Sequence, residues 1–99
     1  MKKKFDWNHP VIVAARAGNC VVCLKTPCDP AHVSARGWGN CKTPMGMDIN
    51  DERNVMSLCH EHHSLQGTKG WVYMFKTYYA VKKWLEENGR TDILEKEFR

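Results

Sequence analysis

Ninety-nine residues are enough for one domain and too few for two independent cores. Charged residues make up 26 % and apolar residues 42 %, a globular balance rather than a disordered one. The longest uncharged apolar stretch, residues 10–15, is far too short to span a bilayer. Lys2, Lys3 and Lys4 look like the opening of a signal peptide, but Asp6, Asn8, His9 and Arg16 break the apolar segment such a peptide needs. A cytoplasmic protein is therefore expected. Disulfides are rare there, and five cysteines cannot all pair internally. Metal ligation is the better use for them.

The formal charge of +4 is uneven: +3 over residues 1–19, zero over 20–70 and +1 over 71–99. A basic N-terminal end, with Lys82 and Lys83 as a second spot, suits a polyanionic partner without singling one out.

In chain order, residues 5–17 read as an ordered lead-in, either helix or strand. Gly18-Asn19 marks a turn ahead of Cys20-Val21-Val22-Cys23. A turn and a short strand around Val33 follow. Residues 36–54 form a long loop with three glycines, and long loops in small domains are commonly functional. Residues 55–58 suit a second strand, and residues 59–66 a short helix stopped at Gly67. Trp71, Met74, Phe75, Tyr78, Val81 and Leu85 recur at spacings of three and four, which predicts one amphipathic helix over residues 71–88. Thr91 is placed to cap a last turn.

Cys20-x-x-Cys23 and Cys59-x-x-His62 are two chelating pairs separated by 35 residues. Zinc takes four such ligands at tetrahedral corners, and a pair on a turn with a pair at a helix start supplies them at small entropic cost. The separation is too long for a C₂H₂ finger, and no βαβ pattern surrounds the first pair as in a thioredoxin-like motif. Cys28 and Cys41 remain as free thiols, or as substitutes for His62 in the fourth position.

His63 follows the ligand His62, and neighbours on a helix point about 100° apart, so His63 faces something else. Asn54 lies five residues before Cys59, and His32 lies nine after Cys23 within Asp29-Pro30-Ala31-His32-Val33. Together with Asn54-Val55-Met56-Ser57-Leu58 and Cys59-His60-Glu61-His62-His63, these pieces resemble the HNH endonuclease family, especially its small phage and prophage versions. The resemblance covers residues 20–78 of a single domain spanning 1–99. It implies an α+β fold of ββα-metal type: a hairpin carrying His32, a loop carrying Asn54, a helix carrying His63, and a structural zinc on Cys20, Cys23, Cys59 and His62.

It further implies cleavage of DNA, duplex or branched, with His32 as general base, Asn54 as orienting amide and His63 as ligand of a catalytic Mg²⁺ or Mn²⁺. Two positions depart from the pattern: Ala31 stands where a second metal ligand is common, and Gly67 where a further histidine is common. Asp29, Asp48 and Asp51 are near enough in sequence to compensate. Arg36, Trp38, Lys42 and Arg53 are candidates for nucleic-acid contacts. A homodimer or a larger nuclease assembly would fit the small size. The rival reading is a non-catalytic zinc module that binds nucleic acid or a protein.

Overall fold

The computed structural model describes residues 8–34 and 47–98. The lead-in is a helix, α1 (Pro10–Ala17). Pro10 sits at its first turn, where no intrahelical N–H is needed, and His9 Nδ1 accepts from the Val11 N–H at 3.2 Å. Gly18 ends α1 hard against the sheet: a Cβ there would meet Ser57 Oγ at 3.0 Å and Ala14 O at 3.3 Å. The close approach lets Ser57 Oγ donate to Ala15 O at 2.8 Å.

Strands β1 (Asp29–His32) and β2 (Val55–Leu58) form a two-stranded antiparallel sheet. Asp29 pairs with Leu58, Ala31 with Met56 and His32 with Val55. One more bond, Val33 N–H to Asn54 O at 2.8 Å, continues the ladder into the segment between the strands. That segment closes on a 3₁₀ turn at Glu52–Asn54, capped by Asp51.

Helix α2 (His60–Thr77) packs on the sheet, followed by α3 (Tyr79–Glu87) and α4 (Thr91–Leu94). The expected helix stop at Gly67 lies three residues too early: the break falls at Gly70, whose φ of 86° a residue with a side chain rarely adopts. The stripe from Trp71 is carried by two helices rather than one, because Tyr78 is extended (φ −117°, ψ 108°) between them. The bend lets Met74, Phe75, Val81 and Leu85 all reach one core with Ala31, Met56, Leu58 and Ile93. A second, smaller cluster joins Ile12 and Ala15 of α1 to Val55. Arg90, not Thr91, occupies the N-cap position of α4. No described helix is long and apolar enough to cross a membrane.

Candidate metal centre and active site

Cys20 and Cys23 flank a tight turn held by Leu24 N–H to Cys20 O at 2.9 Å and Cys20 N–H to Lys25 O at 3.0 Å. Cys59 stands at the N-cap position of α2, yet its side chain caps no N–H. Its sulfur is 3.2 Å from His62 Nδ1 and 3.6 Å from Cys23 Sγ, and His62 Nδ1 is 3.6 Å from Cys20 Sγ. A tetrahedral zinc with ordinary bond lengths needs S–S edges of about 3.8 Å and S–N edges of about 3.6 Å. The cluster already has that shape. Its four ligand atoms lie within 4.8 Å of one another, and among the described residues no other group of three or more His, Cys, Asp or Glu does so.

The chemistry of the donors fits as well. Burial alone would raise the Cys20 thiol, but the N–H groups of Cys59, Cys23 and Val22 bring it down to about 6. Cys23, though lowered by the Lys25 N–H, is raised overall by burial and by the sulfurs of Cys20 and Cys59. A cation bound among such thiols favours their deprotonated form. Cys28 is outside the cluster: its Sγ donates to Lys25 O at 3.3 Å, and burial pushes its thiol up. Cys41 falls outside the described residues.

His63 turns away from its neighbour. Its Nδ1 lies 3.1 Å from Asp29 Oδ2 at the start of β1, and His60 Nδ1 reaches the same oxygen at 3.3 Å. Hydrogen bonding from His63, then from His60, holds the Asp29 carboxyl below its ordinary value despite partial burial. Of the three aspartates near enough in sequence to compensate, Asp29 is thus the one against His63. Asp48 accepts from Asn50 N–H, and Asp51 forms a bidentate pair with Arg53. Ala31 is fully buried and offers no ligand atom.

His32 ends β1, and its Nε2 lies 3.1 Å from Asn50 Oδ1. Asn54 is fully buried and its amide is saturated. Oδ1 accepts from Ser34 N–H at 2.8 Å and Arg90 Nη1 at 2.9 Å, while Nδ2 donates to Ser34 O at 3.1 Å and Ile49 O at 2.9 Å. The amide therefore binds both ends of the interstrand segment, two residues beyond His32 on one side.

Asn50 and Arg90 carry no motif signal in the sequence, where each looks like an ordinary polar residue of a turn. Arg53 is half exposed and shares its charge with Asp51. Arg36, Trp38 and Lys42 fall outside the described residues. A family model described as "Putative HNHc nuclease" (HNHc_6) matches residues 3–96. No curated protein and no solved structure matches the chain significantly.

Proposed function

Because the chain belongs to the HNH nuclease family HNHc_6, we propose that it hydrolyses DNA phosphodiester bonds at a site formed by His32, Asn54 and His63, beside a structural zinc on Cys20, Cys23, Cys59 and His62. The observation that carries this reading is the divergence of His62 and His63. One imidazole enters the thiol cluster, while the other is turned out of it and held by a carboxylate.

An ionised Asp29 can only accept, so a neutral His63 bonded to it carries its proton on Nδ1 and presents the Nε2 lone pair. That nitrogen would hold a catalytic Mg²⁺ or Mn²⁺, an ion that supplies charge neutralisation on the phosphate and on the departing oxygen. Asn50 Oδ1, as an acceptor of the His32 Nε2 proton, puts the lone pair of His32 on Nδ1. In this proposal His32 takes the proton of the attacking water, a task an imidazole suits near neutral pH. Asn54 fixes the chain just beyond His32, so its role is geometric. Arg53, with Arg36, Trp38 and Lys42, meets the DNA backbone, and the cytoplasm is the working compartment. A homodimer or a larger assembly is the form in which so small a chain would cut both strands.

Plasmid nicking across a Mg²⁺ and Mn²⁺ titration tests the reading. His32→Ala is expected to lower the rate about 10²–10⁴-fold while leaving divalent-ion binding intact. His63→Ala should weaken ion binding, with partial recovery at excess Mn²⁺. Wild-type protein that cuts no nucleic acid with any divalent ion would overturn the proposal in favour of the non-catalytic zinc module, the reading that Ala31 and Gly67 favour.

A further inference from the structure

Arg90 is the one buried cation among the described residues, 2 % exposed, and it lies at the far end of the chain from the motif residues. Burying a guanidinium is unfavourable unless every N–H finds an acceptor. Here all five do. Nε and Nη2 bind Asp92 Oδ1 and Oδ2, each at 3.0 Å, in a bidentate fork. The second Nη2 proton goes to Ser34 Oγ, and the two Nη1 protons go to Arg53 O at 3.1 Å and Asn54 Oδ1 at 2.9 Å.

Of the five oxygen acceptors, three belong to the two ends of the segment that joins β1 to β2 and two to the counterion that holds the fork; Met47 Sδ, 3.8 Å from Nη1, adds a sulfur contact within that segment. Asn54 Oδ1 has two lone pairs, one filled by Ser34 N–H and the other by Arg90. Without Arg90, that oxygen loses its only charged donor, and the Arg53 carbonyl and the Ser34 hydroxyl lose a partner too.

We propose that Arg90, held by Asp92, is a positioning residue of the nuclease site: it locks the Asn54 amide and the Ser34 segment, and thereby sets where His32 stands. The proposal rests on the nuclease reading for its kinetic consequence but not for its structural one. A displacement of about 1 Å in a reacting group can lower a rate about 10²-fold, and Ser34 is only two residues from His32.

The experiment uses the zinc-loaded full chain in three variants: Arg90→Lys, Arg90→Met and Asp92→Asn. Asp92→Asn keeps the shape of the fork and serves if Arg90→Met does not fold. Two readouts are taken below the melting temperature of every variant. The first is nicking kinetics, where kcat is expected to fall about 10–100-fold while KM for DNA and zinc content stay within twofold; Arg90→Lys, which keeps one donor for Asn54, should fall least. The second is NMR of the Asn54 side-chain amide and the His32 ring, which needs no activity. The Asn54 amide protons should exchange faster with solvent, and the His32 ring signals should broaden or shift.

Unchanged Asn54 and His32 signals in folded Arg90→Met would overturn the proposal. So would altered signals with an unchanged kcat, since Arg90 would then stabilise the segment without positioning the base. If wild-type protein does not nick, the nuclease reading fails, and the NMR comparison still decides whether Arg90 holds Asn54 and His32 in place.

Discussion

Asp29 and His63 meet side chain to side chain, Oδ2 to Nδ1 at 3.1 Å, where the start of β1 abuts the first turn of α2. A carboxylate behind a ligand imidazole fixes its tautomer and raises its basicity, and losing it typically lowers metal affinity 10–100-fold. Asp29→Ala should therefore weaken Mn²⁺ binding by about that factor in a calorimetric or spin-resonance titration. Zinc content should not change, because Asp29 is not one of the four clustered side chains. Equal Mn²⁺ affinity in the variant would remove Asp29 from the ion site.

The thiol cluster sets a different expectation. Cys59→Ser should lose zinc as measured by elemental analysis, and Cys28→Ser should keep it, since the Cys28 sulfur is bonded to a carbonyl outside the cluster. Strong chelators should unfold the wild type, because Cys20 and Cys59 are also members of the main core. A zinc-free chain that melts like the wild type would exclude a structural role for the metal.

Asn54 should not tolerate aspartate. Its Nδ2 faces two carbonyl oxygens, so Asn54→Asp replaces two donated hydrogen bonds with repulsion in a fully buried site. Leaving those acceptors unpaired costs roughly 3 kcal/mol, to be read from denaturant unfolding. A loss below about 1 kcal/mol would mean that the segment rearranges freely.

The Arg90–Asp92 pair predicts a pH dependence. Hydrogen bonding from Arg90 holds the Asp92 carboxyl below its ordinary 3.8. A depressed carboxylate contributes stability that is fully present above the unfolded value and is lost as pH falls through the folded one. Wild type should therefore melt higher than Asp92→Asn at neutral pH, and the gap should narrow only below about pH 4. A gap that persists unchanged at lower pH would point to packing rather than charge.

Leu24 offers a gain. It closes the Cys20–Cys23 turn at φ 65° with its side chain exposed, so the conformation is strained and the side chain contributes little burial. Leu24→Gly should stabilise the zinc-bound fold by up to about 1 kcal/mol, partly offset by the greater freedom of glycine in the unfolded chain. A lowered melting temperature would mean that Leu24 packs in a way its exposure does not reveal.

What was legible in the chain follows from how local each signal is. The ligand pairs at i, i+3 declare themselves by spacing, and the short apolar run of residues 55–58 lies where β2 is found. α1 was not decidable, because Val11, Ile12 and Val13 suit a strand as well as a helix, and His9 and Pro10 tip the balance only as a capped start. The break at Tyr78 is invisible to a periodicity count, since Tyr78 continues the three-and-four spacing while its backbone leaves the helix. Arg90 could not be found by motif at all: its partners Ser34 and Asn54 are 56 and 36 residues away, and only the folded chain brings them together.

The separation of Arg90 from its partners also orders events during synthesis. Chains are made from the N-terminus, and structure forms as they emerge. Cys20, Cys23, His32, Asn54, Cys59, His62 and His63 are all translated before Arg90. A nascent chain thus holds the groups of the proposed site for a time without the buried arginine that bonds Ser34 and Asn54. A ribosome-bound or prematurely terminated product ending before residue 90 would carry all four clustered Cys and His side chains but lack the Arg90 hydrogen bonds to Ser34, Arg53 and Asn54.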